Sequence, residues 1–356
     1  MPRESWDTDA FRVAIQHSLD AFVNEQATLL RPLGDDAARL VEAAHRSVSG
    51  GKRFRAAFCF WGFRAVQADV PDEPALLRAA AALELLHASA LVHDDYMDSS
   101  DTRRGRPATH RAFETLHRAQ GWSGDPELYG AAAAILLGDL LLCWSDEMLR
   151  RCGLPPDVVH DALGFFDTSR SEVITGQFLD VSVQARGTSN VAQAMRVLRY
   201  KSAKYSVERP LHVGAALAGA DPDLLEALTR FGLPLGEAFQ LRDDLLGVYG
   251  DPEVTGKPAG DDLTEGKRTV LVALTLEQAP PDDAKRLDEA LGTSLTTEEV
   301  DDLRRIIEDS GAHEAVERRI DALTTRSLAA LDEAPVTDLA REVLSQLAAA
   351  ATQRAI

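Results

Sequence analysis

Ala81-Ala82-Leu83-Glu84-Leu85-Leu86-His87-Ala88-Ser89-Ala90-Leu91-Val92-His93-Asp94-Asp95-Tyr96-Met97-Asp98 decides how the chain is read. Its first thirteen residues are apolar apart from Glu84, His87, Ser89 and His93, and their alanine and leucine content favours helix over strand. A helix that is apolar almost all round is a buried one, so the aspartates at its end emerge from a core and not from a solvated surface. At about 100° per residue, Asp94, Asp95 and Asp98 share an arc of roughly 100°. Carboxylates so placed repel one another, and as hard oxygen ligands they suit Mg²⁺ that bridges to phosphate oxygens. Taken alone, the stretch also fits an acidic helix end facing water.

Outward from this stretch, apolar residues keep recurring at helical spacing while strand-like alternation is nearly absent, which predicts an all-helical protein. The pattern predicts helices near 7–31, 35–49, 53–69, 74–98, 127–151, 156–185, 190–219 and 222–249, with shorter ones from about 268 to the end. Asp125-Pro126 and Asp221-Pro222 read as a cap followed by a first-turn proline, and Thr296 with Glu299 as a capping box. Gly250 to Gly260 is rich in turn formers and reads as a long loop. With no internal repeat and no low-complexity linker, residues 1–356 are expected to form one domain.

Acidic residues outnumber basic ones 57 to 38, and the net charge of −19 argues against a nucleic-acid binder or a protein held to anionic lipid by its overall charge. No apolar run reaches the roughly 18 uncharged residues of a membrane span; Ala131 to Trp144 is broken by Asp139. Cys59, Cys143 and Cys152 are scattered without CxxC spacing and read as reduced core thiols of a cytosolic protein, with no zinc site.

A second acidic face lies in Phe239-Gln240-Leu241-Arg242-Asp243-Asp244, where Gln240, Asp243 and Asp244 share one arc of an otherwise apolar helix. Two such faces on core helices would be costly without cations to neutralise them. Neither has the spacing of an EF-hand loop. Cations suited to a diphosphate occur at Gly50-Gly51-Lys52-Arg53-Phe54-Arg55, at Arg103-Arg104-Gly105, at Lys201, and at Lys257 and Lys267. His93 and His110 could be mistaken for bases, but both fit core or structural positions better.

In this order the motifs resemble the all-trans polyprenyl synthetase family, over about Gly50 to Thr269 and with wording most similar to bacterial geranylgeranyl diphosphate synthases. The resemblance is carried by Gly50-Gly-Lys-Arg-x-Arg55, Glu84-Leu-Leu-His87, Asp94-Asp-x-x-Asp98-x4-Arg103-Arg104-Gly105 and Gly138-Asp139. It continues through Gly176-Gln177-x-x-Asp180, Lys201-Ser202, Phe239-Gln240-x-x-Asp243-Asp244 and Gly256-Lys257-x8-Gly266-Lys267-Arg-Thr269.

The resemblance implies a single-domain helical bundle of the isoprenoid synthase type with a central active-site cavity, a homodimer, and a cytoplasmic location. It implies three Mg²⁺ ions, bound directly by Asp94, Asp98 and Asp243 with Asp95 and Asp244 in support. Arg103, Lys201, Ser202, Gln240, Lys257 and Lys267 would serve the allylic diphosphate, and Lys52, Arg55, His87 and Arg104 the isopentenyl diphosphate. Arg103, Lys201 and Gln240 join Asp94, Asp98 and Asp243 as the implied catalytic set, Gln240 facing the developing carbocation with the carbonyl and hydroxyl near Lys201 and Ser202.

The implied reaction is an electrophilic alkylation. The allylic C–O bond ionises as metal and cations neutralise the departing diphosphate, C4 of isopentenyl diphosphate attacks, and a proton is lost to the released diphosphate. In the family, the residues four and five places before the first aspartate floor the elongation tunnel. Here they are Ala90 and Ser89, small enough for a C20 product, with C25 or longer as the alternative and C15 disfavoured. On the helical wheel Ala90 flanks the aspartate arc, whereas Ser89 falls nearly opposite. Gly247 stands where many relatives have a third aspartate, so weaker direct metal binding is expected at the second cluster. A class I terpene cyclase would not need Lys52, Arg55, His87 and Arg104, and an inactive regulatory subunit would not need all five aspartates.

Overall fold

The structure, a computed structural model, describes residues 9–187, 190–250 and 260–353. Those residues are almost entirely helical, as the periodicity requires, and among them the only ladder is β1 (Thr102–Arg103) paired antiparallel with β2 (Arg106–Pro107). The helices up to the second acidic cluster are α1 (Asp9–Leu30), α2 (Asp35–Ser47), α3 (Phe54–Val66), α4 (Glu73–Met97), α5 (Thr109–Gln120), α6 (Pro126–Arg150), α7 (Pro156–Arg186), α8 (Val191–Leu198), α9 (Arg209–Leu217) and α10 (Pro222–Tyr249). They are followed by α11 (Asp261–Thr264), α12 (Val270–Gln278), α13 (Pro281–Ala290), α14 (Thr297–Asp309), α15 (Ala312–Glu333) and α16 (Asp338–Thr352).

Local chemistry sets the starts. The Asp125 carboxylate accepts from Glu127 N at 2.9 Å and the Asp221 carboxylate from Leu224 N at 2.8 Å, each with proline in the first turn. Thr296 and Glu299 form the expected capping box, Thr296 N donating to Glu299 at 2.8 Å. Two expectations need correction. The chain between the first aspartates and α6 is not all loop, because α5 occupies part of it, burying His110, Phe113 and His117 on one face. The continuous helix expected over 190–219 is three pieces: α8, a π-helical segment at Arg199–Glu208, and α9.

The chain gathers into two compact units. The first comprises Met1–Phe166, Pro210–Ala220 and Val336–Val343, and its core is built on α4, whose alanines 79 to 82 are fully buried. Phe11 meets Phe60 edge-on at 5.6 Å, and Phe22 meets Trp144 at 6.2 Å. Glycine lets two backbones touch here: a Cβ on Gly62 would lie 2.4 Å from the Leu211 carbonyl oxygen, and one on Gly214 would lie 1.8 Å from that of Cys59. Both α4 and α6 are long and apolar enough to cross a membrane by length and composition, and the apolar stretch of α4 is mostly buried against protein. Cys59 and Cys152 are core thiols as expected, but Cys143 is exposed on α6.

The second unit comprises Asp167–Arg209, Asp221–Pro335 and Leu344–Ile356. Its core gathers Leu241, Leu245 and Val248 of α10 with Leu271, Leu303, Ile307 and Val316 from the later helices. Arg242 fixes α10 to α15 by a two-pronged ion pair with Glu317, both N–O distances 2.6 Å.

Candidate active site

In the first unit, α4 carries His87, Ala90, Asp94 and Asp98 at spacings of three, four and four, and all four side chains are half-buried on one stripe. Asp98 is the C-cap of α4, its N–H bonded to the Asp94 carbonyl at 2.8 Å. Asp95 points off that stripe and is 3% exposed, and Arg103 grips its Oδ1 through Nε at 2.7 Å and through Nη2. The same guanidinium reaches to 4.0 Å from Asp94.

Cations surround the N-terminal end of this stripe. Arg104 donates to the Ser49 carbonyl at 2.7 Å and lies against the Gly50-Gly51 turn, 3.1 Å from where a Gly51 Cβ would be. Burial above all, then the charges of Arg55, Arg104, Arg103 and Arg53, holds the His87 imidazole well below the usual histidine range. His87 is therefore neutral at pH 7. Lys52 is exposed at the turn and Arg55 half-buried on the first turn of α3. Arg53, Ser99 and Arg104 are the non-glycine residues with left-handed φ among the described residues, at 59°, 57° and 52°. Backbone strain of this kind gathers where geometry is imposed by the surroundings.

His93 and His110 both pack against neighbouring helices or side chains. The His93 ring lies over Gly138, where any Cβ would collide with it, and its Nε2 is 3.2 Å from the Ile135 carbonyl. His110 is buried edge-on to Tyr96. Ser89, buried on the far side of α4 from the stripe, donates to the Gly138 carbonyl at 2.7 Å.

In the second unit the π-helical segment presents Lys201 and Ser202, both half-buried. Glycine on both neighbours lets it pack close: a Cβ on Gly176 of α7 would lie 2.4 Å from Lys201 N, and one on Gly236 of α10 would lie 2.4 Å from the Ala203 carbonyl oxygen. Lys201 Nζ bonds the nearly buried Asp180 carboxylate at 2.6 Å. Below it Glu172 takes Lys204 at 2.7 Å and Arg209 at 2.7 and 2.8 Å, tying the segment to α7.

On α10, Gln240 donates to Asp244 Oδ1 at 2.8 Å. Burial, then the Asp262 and Asp243 carboxylates, pushes Asp244 well above the usual carboxylate range, a charge cost that a cation would relieve. Gly247 is not empty space. The Asp262 carboxylate occupies it, with Oδ2 2.0 Å from where a Gly247 Cβ would stand, and Lys267 Nζ approaches Asp262 at 3.4 Å and Glu265 at 2.5 Å. Lys257, and Asp251 beyond the end of α10, lie outside the described residues.

The donors fit Mg²⁺. No group of three His, Cys, Asp or Glu side chains forms a cage by itself among the described residues. Paired carboxylates one turn apart at 94 and 98 suit an ion that keeps several waters and takes other ligands from a substrate phosphate. Sequence reasoning left out Asp180, Glu172, Glu84 and Asp262 as working residues; Asp180 and Glu84 stood inside quoted motifs, and the acidic Asp261-Asp262 pair preceded Gly266-Lys267.

A sequence model of the polyprenyl synthetase family matches residues 37–310. The chain is 34% identical over 289 residues to geranylgeranyl diphosphate synthase of Mycobacterium tuberculosis, covering 80% of this chain and 76% of that one. It is 30% identical over 307 residues to geranylfarnesyl diphosphate synthase of Aeropyrum pernix, covering 85% and 90%. The fold matches a crystal structure of geranylgeranyl pyrophosphate synthase from Corynebacterium glutamicum complexed with isoprenyl diphosphate and magnesium, with a TM-score of 0.95, 41% identity, and 98% of this chain and 100% of that one covered. Acidic stripe, arginine-ringed histidine and glycine-flanked lysine thus fall within one known lineage, and the chain belongs to the polyprenyl synthetase family, as a prenyltransferase.

Proposed function

We propose that the protein condenses an allylic diphosphate with isopentenyl diphosphate to give geranylgeranyl diphosphate. The observation that carries this reading is the stripe on α4, where metal-type carboxylates at 94 and 98 stand on the same helix face as a neutral histidine ringed by arginines. A cyclase needs the first half of that stripe but not the second.

In this reading Lys52, Arg55, His87 and Arg104 grip the diphosphate of isopentenyl diphosphate, and Arg103, Lys201, Ser202, Gln240, Lys257 and Lys267 serve the allylic diphosphate. Asp94, Asp98 and Asp243 hold the metal, with Asp95 and Asp244 in support. Bound Mg²⁺, three ions per site, supplies Lewis-acid neutralisation of the leaving diphosphate. The C–O electron pair leaves with that diphosphate, the isopentenyl C4 attacks C1 of the allylic cation, and the C2 proton passes to the diphosphate. Lys201, placed by Asp180, and the arginines hold the anions throughout, so their charge is preorganised rather than recruited.

The family model matches residues 37–310, most of the chain, which supports treating the chain as one catalytic domain. A soluble cytoplasmic homodimer belongs to the same reading.

Incubation with isopentenyl diphosphate, each allylic starter and Mg²⁺, followed by sizing of the products, is expected to yield mainly C20. EDTA should abolish turnover, and turnover that survives chelation would refute the metal assignment. A mainly C15 product would overturn the chain-length assignment. Substitution of the tunnel floor separates two effects. Ala90→Phe, on the stripe, should shorten the product with little change in stability. Ser89→Phe must displace α6 at Gly138, so its shortening should come with a loss of about 2–3 kcal/mol in urea unfolding.

A further inference from the structure

Among the cations of Gly50-Gly51-Lys52-Arg53-Phe54-Arg55, Arg53 is turned inward and is 5% exposed. Its Nη1 lies 3.2 Å from Glu84 Oε2, and its Nη2 donates to Gln16 Oε1 at 2.5 Å and to the Val48 carbonyl at 2.6 Å. Glu84 uses its other oxygen to accept from Ala56 N at 3.1 Å, one of the first-turn amides of α3 that has no partner within its helix. Gln16 Oε1 also accepts from Gly50 N at 3.3 Å, so one amide oxygen on α1 joins both ends of the turn. At the centre of this clamp Arg53 stands at φ 59°, a left-handed conformation that an arginine holds only when its surroundings impose it.

We propose that Arg53 and Glu84 act as a positioning pair for the isopentenyl diphosphate site: they lock the Gly50–Arg55 turn in the conformation that presents Lys52 and Arg55, without touching substrate themselves. The inference rests on the assignment of that site above. Glu84 and His87 are three residues apart on α4, so the carboxylate that anchors the turn lies one helical turn from the imidazole that the turn's cations surround. A buried ion pair is seldom kept for stability alone, since its desolvation offsets most of its attraction; what it supplies is a defined geometry. The pair also places a negative charge beside Arg53, and Glu84 offsets part of the repulsion that Arg53 exerts on Arg104.

The test is steady-state kinetics of the full chain with each substrate varied at saturation of the other, for Arg53→Met, Glu84→Gln, the double variant and Arg55→Met. Each anchor variant is expected to raise KM for isopentenyl diphosphate about tenfold or more and to leave the allylic KM within about twofold. The double variant should be no worse than the poorer single one, because both break one clamp. A lower Tm with unchanged KM would overturn the proposal by reducing the pair to a staple between helices. A raised KM in Arg53→Met but not in Glu84→Gln would overturn it too, since Arg53 would then be a direct contact. If either variant fails to fold, Gln16→Ala removes one acceptor of Arg53 and should raise the same KM about threefold, while an unchanged value would sink the clamp. Arg55→Met separates the two levels: an unchanged KM there removes the site assignment itself, whereas a raised one beside normal anchor variants removes only the anchor.

Discussion

Asp94→Asn is expected to lower kcat by about 10³-fold while leaving Tm at or slightly above the parent value. The substitution keeps the size of the side chain and one oxygen, and removes the charge that a metal-bridged diphosphate requires. Stability moves the other way because Asp94 sits in the last turn of α4, at the negative end of the helix dipole and beside Asp95 and Asp98. The Arg103 guanidinium, 4.0 Å from Asp94, offsets part of the cost of a carboxylate there, so the gain in Tm is small. The measurement is turnover at saturating substrates and Mg²⁺, paired with thermal unfolding in EDTA. A variant that turns over within about tenfold of the parent would remove Asp94 from the metal site.

Gly236→Ala is expected to cost about 3 kcal/mol of stability and to reduce kcat about 10²-fold. The added methyl would stand 2.4 Å from the Ala203 carbonyl oxygen and 2.9 Å from Ala203 Cα, so it presses on backbone and not on a side chain that could swing away. The backbone it displaces is the π-helical segment that presents Lys201, hence the joint loss. Gly164→Ala on α7 is the matched control: its Cβ would meet nothing within 4 Å, and helix propensity predicts a gain of up to about 1 kcal/mol. Urea unfolding and steady-state rates of both variants check the pair. Gly236→Ala with parental stability would mean that the close approach is not real.

What could be read from the sequence and what could not divide along a physical line. Helices α6 and α10 were legible because their starts are local events, an aspartate cap followed by proline, and α4 because its interior is apolar almost all round. The clustering of charge was legible for a chemical reason: a reaction driven by neutralising diphosphate needs many charged groups, and charged groups in a core are conspicuous. The π-helical segment was not, since Arg199 to Glu208 has an ordinary helical pattern and its close neighbours, Gly176 and Gly236, lie on other helices. Pairings were hidden for the same reason. Nothing local says that Arg53 turns inward to Glu84 while Arg55 does not, or that Asp180 places Lys201. The short helix α5 escaped because its start at Thr109 follows Ala108, which makes no side-chain cap.

Gly247 and Asp262 share one volume: the carboxylate of the second occupies the place where a side chain on the first would stand. An aspartate placed at 247 would meet the Asp262 carboxylate, whose Oδ2 stands 2.0 Å from the new Cβ, and that side chain would have to swing aside to admit it. Counting aspartates along α10 alone therefore misstates the local charge here, because Asp262 brings a carboxylate to the place of a side chain at 247.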